Sequence, residues 1–220
     1  MERALVIGAS GGVGAAVSAA LGARGVAVTE LSRRTDGLDW TDPAGSVCMM
    51  SAVEGPFDLI FVASGVLAPK GRGPEKSLDA IDAAAMAEVM AVNAIGPALA
   101  LQQAPRLLPR EGRSVVAVLT ARVGSIGDNG MGGWYSYRAS KAAANQIVRT
   151  AAIEIGRKRK EAVVVALHPG TVETPFTAGY PGHRKVSAEA AAENLLGVID
   201  GLTAEQSGGF FDYAGEVVPW

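Results

Sequence analysis

Five short runs of apolar, largely β-branched residues recur along the chain, Ala4–Ile7, Val26–Leu31, Asp58–Val62, Val115–Leu119 and Val163–Leu167, with helix-length segments between them. No other feature of the sequence restricts the fold as strongly. A strand that is apolar on both faces has to be covered on both, and a helix between consecutive strands brings the chain back to run the next one in the same direction. The expectation is an α/β fold, a doubly wound parallel sheet flanked by helices. Helices are expected near 12–24, 43–54, 76–109 with an interruption, 134–157 and 187–201, and a last short strand over Gly209–Tyr213. Ala68–Ser77, which holds Pro69, Gly71, Gly73 and Pro74, reads as a surface loop.

Composition narrows the function. The 220 residues suit one α/β domain, so residues 1–220 are read as a single dinucleotide-binding unit once the glycines below are considered. Lys+Arg 20 against Asp+Glu 22 leaves a formal charge of −2, which gives no general pull toward nucleic acid or an anionic membrane. The one basic run, Arg157–Lys160, reads as the solvated end of a helix, where cations complement the dipole. Cys48 is the single cysteine, so an intrachain disulfide is excluded, a thiolate metal site is untenable, and no metal is expected. The apolar run after Met1 is too short for a signal peptide or membrane span, and the expected location is cytoplasmic. Small molecules are the expected partners.

The first strand ends in Gly8-Ala9-Ser10-Gly11-Gly12-Val13-Gly14, and a helix opens directly after it. Such a turn lets backbone approach a pyrophosphate while the helix points unpaired N–H groups at the anion. The same residues spell G-x-S-x-G, with Ser10 in the position of a hydrolase nucleophile. That reading needs a histidine base, and only His168 and His183 are available.

Tyr137 and Lys141 stand four residues apart, which stacks them on one helical face continued by Ala144, Val148, Ala151 and Ile155. An ammonium near a phenol favours the phenolate and makes the tyrosine a usable acid or base. An isolated pair of this spacing is equally at home on a solvated helix end.

Taken together, the motifs resemble the short-chain dehydrogenase/reductases over nearly the whole chain. The resemblance rests on Gly8, Gly12 and Gly14; Leu38-Asp39-Trp40-Thr41-Asp42; Val62-Ala63-Ser64-Gly65; Val92-Asn93; Tyr137-x3-Lys141; and Pro169-Gly170-Thr171-Val172-Glu173-Thr174, in that order. Arg122–Asn129, Gly132–Lys141 and the ending Asp212-Tyr213…Pro219-Trp220 look like the C-factor-like branch, which holds a cell-contact signalling protein and small carbonyl reductases. The resemblance implies a Rossmann-type fold and an NAD(P)-dependent oxidoreductase that moves hydride between nicotinamide and a small carbonyl or alcohol. Tyr137 would be its acid/base, Lys141 would lower the phenol pKa and bind ribose, and Asn93 would hold a water in the proton relay. Ser10, Gly11, Val13, Ala63, Ser64, Gly65, Pro169, Gly170, Val172 and Thr174 would line the cofactor beside the turn glycines. Asp39 and Trp40 would meet its adenine end. The branch also admits a dinucleotide-binding signalling or sensor protein with weak or no turnover.

Arg33, after the second strand, can fork onto a 2′-phosphate, so NADP(H) is expected over NAD(H). The family serine is missing: the position anchored on Gly124 is Ala121, with Thr120 and Ser125 as nearby hydroxyls. Ser125 is the expected substitute, because strand alternation should turn Thr120 away. The 83–108 and 134–155 segments are apolar around most of their circumference, and the expected assembly is a homodimer or homotetramer through them.

Overall fold

A computed structural model of the chain describes residues 1–179 and 185–220. Strands β1 (Arg3–Ile7), β2 (Ala27–Leu31), β3 (Leu59–Val62), β4 (Ser114–Leu119), β5 (Ala162–His168) and β6 (Phe210–Asp212) form one parallel sheet. Their order is β2-β1-β3-β4-β5-β6. Helices α1 (Gly12–Ala23), α2 (Pro43–Ser51), α3 (Ala83–Met90), α4 (Gly96–Leu107), α5 (Tyr135–Lys158) and α6 (Ala188–Gly201) cover both faces.

The two-faced apolar runs produce two cores. Leu5, Ile7, Ile60, Val116 and Val164 face α2, α4 and α5, through Met50, Leu101 and Val148 among others. The alternate residues Ala4, Val6, Phe61, Val115 and Val165 face α1 and α6, through Val17, Leu21, Leu195 and Ile199. Every residue of β3 and β4 is buried, whereas β2 is largely exposed. The reason lies in the segment after β2. The chain makes a tight turn in which Ser32 N–H donates to Asp36 Oδ2 (2.8 Å) and Leu38 N–H to the Ser32 carbonyl (3.2 Å), and α2 then carries it to β3 on the far side of β1. Leu38 and Trp40 then return to the core, and β2 is left as the sheet edge.

The expected interrupted helix over 76–109 resolves into α3, a widened turn over Ala91–Ile95 with π-type bonding, and α4. Pro97 has no N–H with which to close the usual bond onto the Asn93 carbonyl, so the backbone widens there. Ala83–Leu107 is long and apolar enough to cross a membrane by length and composition, yet α4 packs against α2, α5 and the sheet.

Candidate active site

The sheet winds outward in both directions from β1 and β3, and ligand sites in such sheets form over the carboxyl ends of the strands at that switch. A cavity of about 500 Å³ opens there. Its walls come from Ser10–Gly14 after β1, Ala63–Gly65 after β3, Leu119–Val123 after β4, and His168–Val172 with Thr174–Thr177 after β5. Tyr137 and Lys141 reach it from α5.

The β1 turn is a cradle made of backbone. Gly8 has φ +88°, and a Cβ there would lie 2.8 Å from the Ser64 nitrogen. A Cβ on Gly14 would lie 2.3 Å from the Gly8 carbonyl oxygen, so the helix can start this close to the turn only with glycine. Gly11, at the N-cap of α1, carries no side chain to engage the free N–H groups. Thr174 closes the cradle with its methyl against Gly12, and Thr177 Oγ1 holds the following turn by donating to the Val172 carbonyl (2.5 Å). Small residues, open N–H groups and a helix N-terminus suit a dinucleotide pyrophosphate.

Fourteen of the residues assigned from sequence line this cavity: Ser10, Gly11, Gly12, Val13, Gly14, Ala63, Ser64, Gly65, Tyr137, Lys141, Pro169, Gly170, Val172 and Thr174. Others are placed elsewhere. Trp40 is a core residue, 3% exposed, with its indole against Gly96, because the turn after β2 sends it inward. Asp39 accepts from Thr41 N–H (2.9 Å) and Thr41 Oγ1 (2.7 Å), an Asx turn that holds its carboxyl below the usual range. Arg33 is exposed, and its charge adds to that depression. Arg34, rather than Arg33, reaches the cradle, where its guanidinium donates to the Ser10 carbonyl.

Ser125 requires a correction. It is 2% exposed, lies away from the cavity lining, and accepts from Asp128 N–H (3.1 Å), so its hydroxyl belongs to the 125–128 turn. The lining at the serine position is Ala121, preceded by Thr120, whose buried Oγ1 has no partner among the described residues. Sequence alternation misplaced the hydroxyl because β4 ends at Leu119 and the chain enters a short helical turn at Arg122–Gly124.

On α5, Lys141 Nζ donates to the Leu119 carbonyl (2.9 Å) and lies 5.9 Å from the Tyr137 ring centroid. Both residues are buried, at 3% and 7% exposure. Burial pushes the Lys141 ammonium down to about 8 and the Tyr137 phenol up, which reverses the expected lowering of the phenol pKa. The phenol is therefore held protonated, the state a proton donor needs. Asn93 is fully buried and staples this wall: Oδ1 accepts from Val66 N–H (2.8 Å), and Nδ2 donates to the Val66 carbonyl (2.8 Å) and to Ser140 Oγ (3.0 Å). With its carboxamide so occupied, Asn93 fixes the β3 loop to α5, and Gly65 lies beside both Lys141 and Asn93.

Tertiary structure adds two aromatic walls that sequence reading left out, Trp134 at 6.1 Å and Phe176 at 5.8 Å from the Tyr137 ring. His168 also lines the cavity, and burial lowers it to about 4, so it is neutral at physiological pH. No hydrogen bond joins Ser10 to a histidine among the described residues, and His183 lies outside them.

Fold and site together define a dinucleotide-binding oxidoreductase of the α/β class. A family model described as Enoyl-(Acyl carrier protein) reductase matches residues 38–208. The chain is 40% identical to C-signal of Myxococcus xanthus over 169 residues, covering 76% of this chain and 94% of that protein. It is 34% identical to 1-hydroxy-2-glutathionyl-2-methyl-3-butene dehydrogenase of Rhodococcus sp. (strain AD45) over 237 residues, covering 100% of both. Among solved structures, a carbonyl reductase from Pseudomonas aeruginosa PAO1 superimposes with a TM-score of 0.77 at 25% identity, covering 100% of both chains. NADPH-bound carbonyl reductase from chicken fatty liver shares the fold with a TM-score of 0.84 at 23% identity, covering 100% of this chain and 94% of that one. The chain belongs to the short-chain dehydrogenase/reductase superfamily.

Proposed function

We propose that the protein is an NADPH-dependent carbonyl reductase, or in reverse an alcohol dehydrogenase, with Tyr137 as its acid/base. The observation that carries this reading is the buried phenol of Tyr137 standing beside Lys141 in a cavity whose other wall is the glycine cradle. When bound, a reduced nicotinamide supplies hydride to the carbonyl carbon. Tyr137 gives its proton to the carbonyl oxygen as the C=O double bond becomes a C–O single bond, so an alcohol forms and the phenolate is left to be reprotonated. Lys141 stabilises that phenolate and meets the ribose hydroxyls. Asn93 keeps both residues in place through Val66 and Ser140. Arg33 and Arg34 at the end of β2 favour the 2′-phosphate of NADPH.

A second reading is a dinucleotide-binding signalling protein with weak or no turnover. It is favoured by the identity to C-signal and by Ala121, which offers the carbonyl oxygen no hydroxyl. One experiment separates the two: fluorescence titration with NADPH and NADH, followed by nucleotide absorbance during incubation with small aldehydes, ketones and quinones. Tight NADPH binding with substrate-dependent oxidation supports the reductase. Binding without turnover supports the signalling reading, and no binding overturns both.

The remaining assignments are a cytoplasmic location and a homodimer or homotetramer through the 83–108 and 134–155 helices. Ile95 and Ile153, 47% and 52% exposed at the start of α4 and on α5, support the pairing. Sedimentation as a monomer at micromolar concentration removes it.

A further inference from the structure

The helix that carries Tyr137 begins in an unusual way. Gly132, Gly133 and Trp134 have φ of 65°, 66° and 55°, and Trp134 is the sole non-glycine residue with positive φ among the described residues. A bulky side chain rarely occupies this region, and it persists there only where the surroundings hold it. Trp134 is also the N-cap of α5 and makes no side-chain capping bond.

What holds the turn comes from far away in sequence. Glu75, in the 68–77 loop, accepts the Trp134 N–H at its carbonyl (2.5 Å) and the Ser136 N–H at Oε2 (3.2 Å), and the Ser136 hydroxyl donates to its Oε1. One residue thus satisfies two donors at the open end of α5 and a buried hydroxyl beside them. Ser136 is 2% exposed, and Tyr137 follows it directly. The carboxylate also places negative charge at the positive end of the helix, where it is favourable. Hydrogen bonds from Ser136 outweigh the opposing effect of burial and lower the Glu75 pKa, so the charged form persists.

We propose that Glu75 is a positioning residue for Tyr137: its carboxylate holds both polar groups of Ser136 and, with its main-chain carbonyl on the Trp134 N–H, fixes the first turn of α5, so that the phenol and the indole face the cavity together. The proposal rests on the reading of Tyr137 as the acid. Without the carboxylate, the Ser136 N–H and hydroxyl lose their acceptor, the first turn frays, and the phenol loses its place.

The test uses E75A, E75D and E75Q in the full chain, with three readouts. E75A is expected to lower kcat at least tenfold with the NADPH Kd within about twofold, to speed amide exchange at 134–137 at least tenfold while β4 and β5 stay protected, and to let the Tyr137 phenol ionise at lower pH. That ionisation is read by ultraviolet titration against Y137F. E75Q keeps the reach and two polar atoms, and should retain most of the function. E75D keeps the charge and loses the reach, and should behave like E75A. Unchanged amide exchange in E75A, rescue by E75D but not E75Q, or faster exchange with unchanged kcat and phenol titration would each overturn the proposal. If the wild type turns over no carbonyl compound, the enzymatic reading fails by itself, while exchange and phenol titration still decide the clamp. Should E75A not fold, E75D and E75Q decide it.

Discussion

The two walls of the cavity are built by different means. The glycine cradle is local: β1, four residues of turn and α1 are contiguous, and the turn's shape is dictated by backbone that no side chain may obstruct. The catalytic wall is assembled from five separate places, Glu75, Asn93, the 119–125 stretch, the start of α5 and Phe176. Each member is fixed by a partner remote in sequence, such as Lys141 by the Leu119 carbonyl and Ser140 by Asn93. A contiguous element tolerates no substitution at a few positions, whereas a composite wall has a graded response to loss of each contact.

The largest expected effect lies in the composite wall. Tyr137→Phe should reduce carbonyl turnover by roughly a thousandfold while the NADPH Kd stays within about twofold, because only the transferable proton is removed. Equal loss of binding would show that the two walls are not separable.

Gly14→Val attacks the cradle. Its side chain meets the Gly8 carbonyl and has nowhere to move, so NADPH affinity should fall by about 30-fold or more, with a lower Tm. Binding within twofold of wild type would mean that the cradle is more pliable than its backbone contacts indicate.

Cofactor choice tests where the cradle ends. Arg34→Asp should shift preference from NADPH toward NADH by about 30- to 100-fold, on the order of 2–3 kcal/mol, since Arg34 is the arginine that touches the turn. If Arg33→Asp gives the larger shift in parallel titrations, the exposed arginine reads the phosphate instead.

The missing hydroxyl sharpens the view of the catalytic wall. Ala121→Ser should raise kcat by about tenfold by adding a donor to the carbonyl oxygen. Ser125→Ala should leave kcat within about twofold and cost about 1 kcal/mol of stability through the lost bond from Asp128 N–H. A large fall in kcat for Ser125→Ala would return the serine role to that residue.

The pH dependence of stability concerns Lys141, whose burial lowers its pKa from 10.5 to about 8. Between those values the unfolded chain binds the proton and the folded chain does not, so this group's contribution to stability rises with pH through that window. Below about pH 8 the buried ammonium is a cost. Lys141→Met should therefore raise stability near pH 7 by on the order of 1–3 kcal/mol while ending turnover, and its advantage should shrink toward pH 10 in denaturant titrations. A less stable variant would show that the Leu119 carbonyl compensates the ammonium fully.

Much of this was legible from residue order. The five apolar runs became β1–β5, the glycine turn became the cradle, and Tyr137 and Lys141 share the face that their spacing implies. Strand and helix periods, glycine at tight turns and i,i+4 stacking all act within a few residues, so the chain carries them wherever it folds. Other features depended on what the rest of the molecule brought near. Trp40 turned into the core, Arg34 rather than Arg33 met the glycine turn, and Ser125 was spent on its own loop while Ala121 took the cavity. The phenol pKa is raised because the assembled wall desolvates it. Glu75 gave no local signal, since its partners lie about sixty residues further along and only packing of the 68–77 loop against α5 unites them. Sequence alone determined the class of fold, the glycine turn after β1 and the shared helical face of Tyr137 and Lys141, because these rest on short-range patterns. Only tertiary structure decided which hydroxyls, charges and caps surround that pair, because burial and long-range hydrogen bonds exist only once the chain has closed.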